Sequence, residues 1–280
     1  MDPLQFVTNA TVAVVAGKGG VGKTTVTAVL ATAAIRRGLR VLVVELDGKP
    51  TLEALLPGVP VLHLSASAAL AEYLDEHGLS RVTRRLVNSG VIDVVATASP
   101  GIDDIVVLGK IKQLERSGDH DLIIVDGPAA GHALTMLASV GGLRRSVRGG
   151  PIAHQAREVA EMLGDPERCQ VVLVTIPETT PVNELAETAF AIEDRVGVHL
   201  APVVVNGVDS GSPLDPALAG DATPLRRAAE FRAARRHLHR EACGDLGRLL
   251  PLPQLVLPHL PGAVLDTVAI ERLADEWDPT

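Results

Sequence analysis

The sequence predicts an α/β fold in which a doubly wound, mostly parallel sheet is flanked by helices. Short apolar, β-branched runs recur along the chain, and stretches with helical spacing separate them. Aromatic residues make up only 2% of a chain whose apolar content is 46%. A core of Val, Leu, Ile and Ala suits a sheet covered by helices better than an aromatic-rich barrel. With 280 residues, the chain is long enough for one large domain, and we expect a single domain over residues 1–280.

The strand predictions rest on short runs that are rich in β-branched and apolar residues. They are residues 11–16, 40–46, 59–64, 91–96, 122–126, 170–176, 202–206 and 252–257. Most of the segments between them are long enough to hold a helix. We therefore expect the strands to run mostly parallel.

The clearest helix prediction begins near Thr180, which can cap the helix, while Pro181 fits the first turn. An apolar stripe at helical spacing follows, formed by Val182, Leu185, Ala186, Ala189 and Phe190. Two further helical stretches, at about residues 141–165 and 212–248, have the character of additions to a minimal α/β core. The second is rich in arginine, which we interpret as a solvated helix face.

The most informative motif is a glycine-rich loop between the first predicted strand and a helical stretch. It reads Gly-Lys-Gly-Gly-Val-Gly-Lys-Thr-Thr over residues 17–25 and fits the P-loop template. In such a loop, backbone N–H groups surround phosphate oxygens, and glycine makes the turns without a Cβ in the way. We therefore predict that the loop binds a nucleoside triphosphate. The binding residues would be Gly17, Gly19, Gly20, Val21, Gly22, Lys23, Thr24 and Thr25.

Four side chains in and near this loop suggest phosphate and metal chemistry. Lys23 would add a positive charge on the phosphates, and Thr24 a hydroxyl ligand for Mg²⁺. Asp126 ends the strand predicted at residues 122–126, where a carboxylate would hold Mg²⁺. Asp47 ends another strand run at the same edge of the sheet. A carboxylate there can orient the water that attacks the γ-phosphate.

The charge balance narrows the classes of partner. A net charge of −8 argues against a generally basic surface for nucleic acid or membranes, although local basic patches stay possible. The apolar runs are shorter than the roughly 18 residues that a membrane span requires. We therefore expect a cytoplasmic protein with no integral membrane segment.

Several motifs resemble one family of P-loop proteins. Lys18, followed by Gly-Gly-Val-Gly-Lys-Thr-Thr, is similar to the deviant Walker A motif of the ParA, MinD and ArsA superclass. Asp-Gly-Pro-Ala-Ala-Gly-His at residues 126–132 resembles switch II of the ArsA-like arsenite-transporting and tail-anchored-protein targeting ATPases. Residues 174–185 and 203–206 also look like that branch. The resemblance extends over nearly the whole chain.

This resemblance implies an ATPase that hydrolyses ATP to ADP and phosphate within a nucleotide-sandwich dimer. The second subunit would be another copy or a paralogous ATPase. Lys18 would reach phosphates held by the partner subunit, so that Lys18, Lys23 and Asp47 are the implied catalytic residues. Loss of the γ-phosphate would change the shape of the dimer and act on an unknown client or a membrane-associated partner.

The resemblance also implies two cofactors, ATP and Mg²⁺. Asp126 matches the Walker B position, which holds Mg²⁺ together with Thr24. Asn206 matches the residue that recognises adenine, and Pro258 would border the base.

The chain departs from the family pattern at identifiable places. In switch II, Pro128 stands one place early and Ala130 replaces a threonine. Cys169 and Cys243 do not occupy the region of the arsenite-binding cysteine cluster, and the zinc-binding C-x-x-C of the eukaryotic targeting factors is absent. Neither arsenite nor a tail-anchor client is therefore inferred.

Three alternatives stay open at this point. The first is a positioning ATPase of the ParA/MinD type, although the acidic stretch at residues 269–280 argues against a basic membrane anchor. The second is a nucleotide-gated binding or scaffold module that requires a paralogous subunit, since the same residues serve binding and hydrolysis. The third is a redox ATPase of the nitrogenase-iron-protein kind, which would require a cysteine soon after Asp126, whereas the next one is Cys169.

Overall fold

The computed structural model describes residues 4–46, 48, 50–76, 78, 101–146, 149–215, 217, 223–262 and 264–277. Two predictions lie outside these residues: the strand at residues 91–96 and the side chain of Asp47.

Eight strands of the described chain form one sheet, and all of their recorded pairings are parallel. The strands are β1 Val12–Gly17, β2 Val41–Glu45, β3 Val61–His63, β4 Leu122–Ala129, β5 Cys169–Thr175, β6 His199–Leu200, β7 Val203–Val208 and β8 Gln254–Pro258. Their order is β3-β2-β4-β1-β5-β7-β8, and β6 pairs with β5. This arrangement confirms the predicted α/β class with a mostly parallel sheet.

Apart from shifts of one or two residues at the ends of several strands, two strand details differ from the sequence prediction. β4 continues past Asp126 to Ala129, because Gly127 allows close approach to β1. A Cβ at Gly127 would lie 2.5 Å from the carbonyl oxygen of Val15, inside any permitted contact. The two-residue strand β6 was not predicted, since a run that short carries no periodic signal.

Ten α-helices lie before, between and after the strands within the described residues. They are α1 Gln5–Asn9, α2 Lys23–Arg36, α3 Thr51–Leu55, α4 Ala66–Glu76, α5 Ile102–Ser117, α6 Ala130–Ser146, α7 Pro151–Leu163, α8 Thr179–Arg195, α9 Thr223–Leu249 and α10 Thr267–Asp275. The helices α6 and α7 cover the first predicted addition, and α9 covers most of the second. The division of the chain into one domain with two additions remains our interpretation.

The helix predicted near Thr180 is α8, and one member of its apolar stripe was wrong. The helix begins at Thr179 after the extended N-cap residue Glu178, so Thr180 was wrong as the cap and lies in the first turn together with Pro181. Four of the stripe residues are buried, but the Phe190 side chain is 55% exposed. Ile192 is buried instead, because it continues the inward face three residues after Ala189.

Both faces of the sheet carry a hydrophobic core, which explains why β1, β4 and β5 are almost continuously apolar. The core on one face includes α1, α2, α3 and α10. The other core includes helices α4 to α9. Helix α2 is buried from Val26 to Ala34. The loop that precedes α2 is therefore anchored between β1 in the centre of the sheet and a helix embedded in the core.

Candidate functional site

The glycine-rich loop leaves β1 at Gly17 and enters α2 at Lys23. Gly20 and Gly22 have φ values of 86° and 90°, in the left-handed region that favours glycine. A Cβ at Gly22 would lie 2.2 Å from Nδ2 of Asn206, and a Cβ at Gly17 would lie 2.4 Å from the carbonyl oxygen of Val174. The Val174 backbone therefore leaves no room for a side chain at Gly17, and the left-handed φ together with the Asn206 amide disfavours one at Gly22; the P-loop template requires both glycines.

Asn206 is held against this loop. Its Nδ2 donates a hydrogen bond to the carbonyl oxygen of Val21 at 2.9 Å, although the two residues are 185 positions apart. A cleft of about 180 Å³ opens beside it, lined by residues that include Thr25, Pro258 and His259. Asn206 and Pro258, the two residues assigned to the adenine base by resemblance, thus line one small cleft next to the loop. That they bind adenine stays a prediction.

The first turns of α2 face Asp126, which lies toward the carboxyl end of the inner strand β4. The Thr24 hydroxyl donates to Oδ2 of Asp126 at 2.9 Å, and the Thr27 hydroxyl donates to Oδ1 at 3.1 Å. Asp126 is only 7% exposed, and this burial raises the pKa of its carboxyl. The two hydroxyl hydrogen bonds and the positive charge of Lys23 act in the opposite direction. The structure therefore brings together Lys23, Thr24 and Asp126.

These residues fit a Mg²⁺ ion bound together with nucleotide phosphates. Mg²⁺ prefers oxygen ligands and is usually held by one or two protein groups plus phosphates and water. Thr24 and Asp126 supply a hydroxyl and a carboxylate, and a cation would relieve the cost of burying the Asp126 charge. In the described ranges, no group of three or more His, Cys, Asp or Glu side chains could hold a metal ion by itself. A Mg²⁺ ion here would therefore depend on phosphate and water ligands as well.

Lys18 points to a different neighbour. Its Nζ lies 2.7 Å from both carboxylate oxygens of Glu184 on α8, and both side chains are about half exposed. The pair borders a cleft of about 450 Å³ between the loop, the start of α6 and α8. Apolar side chains such as Leu134 and Leu185 form part of its wall. Lys18 is therefore available on the outer side of the loop, with a carboxylate of its own chain beside it.

Sequence reasoning missed a second acidic side chain near Asp126. Glu45, the last residue of β2, is paired in register with Asp126 and is only 3% exposed. His63 of β3 lies 2.6 Å from it, measured from Nδ1 to Oε2 of Glu45. One signal was present: Glu45 interrupts the apolar run at residues 41–46. The contact with His63 depended on strand order and had no sequence signal.

Thr27 was also missed, although it lies three residues after Thr24 and hence on the same face of α2. Asp47, the third predicted catalytic residue, lies outside the described part of the chain. Its role stays a prediction.

The chain is similar to known nucleotide-binding proteins. A family model described as the CobQ/CobB/MinD/ParA nucleotide binding domain matches residues 12–215. The chain is 31% identical over 219 residues to the ATPase BagA of Mycobacterium tuberculosis, with 69% of this chain and 63% of BagA covered. It is 30% identical over 214 residues to an arsenical pump-driving ATPase of Escherichia coli, with 71% of this chain and 35% of the relative covered. These relatives confirm the resemblance to ArsA-like ATPases that the motifs indicated.

The matches do not extend over the whole of these relatives. The chain spans less than two thirds of BagA and about a third of the arsenical pump-driving ATPase. Crossing a bilayer takes a helix of some 18 or more mostly apolar residues, and the described part of the chain contains none.

Proposed function

We propose that this chain, which belongs to the CobQ/CobB/MinD/ParA nucleotide-binding domain family, binds ATP with Mg²⁺ and hydrolyses the ATP to ADP and phosphate. The observation that carries the proposal is the contact between Thr24 and Asp126 at the end of the glycine-rich loop. A phosphate-binding loop alone would support binding. A buried carboxylate against the loop's hydroxyl residue supports, in addition, the metal site that phosphoryl transfer requires.

Each residue has a role that follows from its chemistry. The loop from Gly17 to Thr25 would hold the phosphates through backbone N–H groups, with the Lys23 ammonium balancing their charge. Thr24 and Asp126 would hold Mg²⁺, which supplies further positive charge to the β- and γ-phosphates when bound. Asp47 would orient the attacking water, and Asn206 would bind the base.

The proposal extends to a nucleotide-dependent dimer, formed with a second copy or a paralogous ATPase. Lys18 supports this extension, because its ammonium lies on the outer side of the loop and is half exposed. In a face-to-face dimer, Lys18 would exchange Glu184 for phosphates bound by the partner subunit. Hydrolysis would remove those phosphate contacts and open the dimer, which is how the reaction would act on a client.

The first test is Mg·ATP hydrolysis by the purified chain over a series of protein concentrations, with light scattering to follow its mass. We expect the specific activity to rise with concentration while ATP doubles the mass. Tight ATP binding without turnover or mass doubling would contradict a self-sufficient homodimeric ATPase and favour a binding module with a paralogous subunit.

The same assay tests Asp47. We expect Asp47→Asn to lower kcat by roughly 10²–10⁴-fold, as expected for loss of a group that orients or activates water, while ATP affinity is kept. Asp75→Asn, the same change at an exposed position of α4, is the matched control and should leave both unchanged. Loss of ATP binding in Asp47→Asn would mean that Asp47 has a structural role.

A further inference from the structure

A row of polar side chains crosses three neighbouring strands near their carboxyl ends, beside the proposed Mg²⁺ site. Glu45 of β2 is in register with Asp126 of β4 on one side and with His63 of β3 on the other. Neighbouring strands lie about 4.8 Å apart, and side chains at paired positions share a face. Glu45, Asp126 and His63 therefore occupy adjacent positions on one face of the sheet, and the row continues to Thr24 in the first turn of α2, which donates to Asp126.

Glu45 occupies an unusual position for a carboxylate. It is 3% exposed and ends a strand whose other residues are all apolar and buried. Its charge also acts on Asp126, where it contributes to the raised pKa of that carboxyl. A buried carboxylate is costly unless a partner compensates its charge.

His63 supplies that compensation and is itself held from two sides. Its Nδ1 lies 2.6 Å from Oε2 of Glu45, and its Nε2 lies 3.0 Å from Oε1 of Glu53 on α3. The imidazole is 39% exposed, whereas Glu45 beneath it is almost completely covered. With both nitrogens engaged, the ring cannot turn without breaking a contact, so it helps to fix where the Glu45 carboxylate lies.

We propose that His63 is a positioning residue for the metal site, because it holds Glu45 beside Asp126 and so provides a second buried carboxylate at the place where Mg²⁺ binds. This inference rests on the proposed function, in which Thr24 and Asp126 hold Mg²⁺ with ATP. His63 touches neither the nucleotide nor the metal and acts through Glu45. Two neighbouring carboxylates repel each other, and a cation relieves the repulsion. Glu45 therefore strengthens the preference of the site for a Mg²⁺–nucleotide complex over the nucleotide alone.

The quantity to measure is the Mg²⁺ enhancement, defined as the Kd for ATP in excess EDTA divided by the Kd in excess Mg²⁺. Calorimetry gives both values without relying on turnover. His63→Leu removes both contacts of the ring and should lower the enhancement by roughly 3–10-fold, less than the 10–100-fold typical of residues that hydrogen-bond a metal ligand directly. Its Mg²⁺-free affinity for ATP should not change, because His63 does not touch the loop.

Two variants separate positioning from general damage. In His63→Asn, the amide nitrogen stands where Nδ1 stood and can still donate to Glu45, so this variant should recover most of the enhancement. Glu53→Gln leaves the contact between His63 and Glu45 in place and should keep the enhancement close to the wild-type value. If His63→Leu, His63→Asn and Glu53→Gln all lower the Mg²⁺ enhancement equally, the effect does not come from positioning of Glu45 and the proposal is overturned.

Glu45→Gln keeps the test decisive if His63→Leu does not fold, because glutamine fills the same space without the charge. It should lower the enhancement at least as much as His63→Leu. A folded Glu45→Gln or His63→Leu protein with the full wild-type enhancement would overturn this inference alone. A wild-type chain without ATP binding or without any Mg²⁺ enhancement would instead overturn the proposed function, and the inference with it.

Discussion

Asp126 is a buried carboxyl at a position where an apolar residue would pack at lower cost. Two threonine hydroxyls satisfy its oxygens, yet burial still raises the pKa of the carboxyl. A group that is harder to ionise in the folded state than in the unfolded chain destabilises the protein at pH values where it must be ionised. Retaining such a residue is understandable if a cation binds there, since function is commonly placed where stability is lost.

Asp126→Asn should therefore stabilise the nucleotide-free protein at neutral pH while weakening the effect of Mg²⁺ on ATP binding. In the wild type, stability should fall as pH rises from the ordinary Asp value of 3.8 through the raised pKa of the folded state. The variant should lack this fall. Urea unfolding between pH 4 and pH 8, with and without Mg·ATP, measures both effects.

Thr27→Val is a useful companion to Asp126→Asn, since it removes one hydrogen bond but keeps the carboxylate. It should destabilise the protein, because Oδ1 of Asp126 loses its hydroxyl donor. An Asp126→Asn protein that is less stable than wild type throughout this pH range would contradict our account of the site.

The helices on the α5–α7 side of the sheet are joined by charge as well as by apolar packing. Lys112 of α5 donates to Glu158 of α7 at 2.6 Å and to Gln155 at 2.8 Å, and Arg116 donates to the other oxygen of Glu158 at 2.6 Å. The Lys112 side chain is only 8% exposed. These contacts lower the pKa of Glu158 to about 2, with the hydrogen bond from Lys112 as the largest cause.

Glu158→Gln should destabilise the protein by about 1–3 kcal/mol, because it leaves the nearly buried Lys112 ammonium without its carboxylate. The contribution of Glu158 to stability is present above the ordinary Glu value of 4.5 and is lost as pH falls toward about 2. Denaturant unfolding from pH 7 to pH 3 should show a smaller acid-dependent loss in the variant. Glu161→Gln, the same change at an exposed position of α7, is the control, and an equal effect there would refute a specific role for the ion pair.

Hydrophobic periodicity and the residues that mark the ends of elements predicted long helices and strands better than short ones. The α8 stripe identified the buried face of that helix, but Phe190 at its margin is exposed because the inward face continues from Ala189 to Ile192. β6 escaped prediction because two residues contain no period. β4 continues beyond its predicted end because Gly127 tolerates a contact with β1 that no local pattern records.

The whole molecule is proposed to act as one half of a dimer that closes around nucleotide. Lys18 and Glu184, 166 residues apart in sequence, meet at the cleft between the loop and α8. Both are about half exposed, so their pairing contributes little to stability and can be exchanged at low cost. A weak ion pair suits the proposed role, in which Lys18 would release Glu184 to reach phosphates of the partner subunit.

Lys18→Ala should weaken ATP-dependent dimerisation roughly 10–100-fold, in line with the loss of a hydrogen bond between charged groups. ATP binding by the monomer should change much less, because Lys23 and the loop backbone remain. Analytical ultracentrifugation with ATP, at several protein concentrations, measures the dimer Kd.

Glu184→Gln is the comparison variant, since it frees Lys18 from its ion pair without removing the ammonium. We expect it to dimerise at least as well as wild type. Unchanged dimerisation in Lys18→Ala would contradict a role across the subunit interface.

The sequence alone was sufficient for the α/β class, the glycine-rich loop and the alignment of Thr24 with Asp126. Each of these depends on local chemistry: β-branched runs pack between helices, glycines permit one loop geometry, and parallel strands end at a common edge. The contacts of Glu45 with His63 and of Lys18 with Glu184 could not be predicted in the same way. They depend on β2 lying between β3 and β4 and on α8 packing beside the loop. Such neighbours are selected by how the whole chain buries its apolar surface, and no short stretch of sequence encodes that.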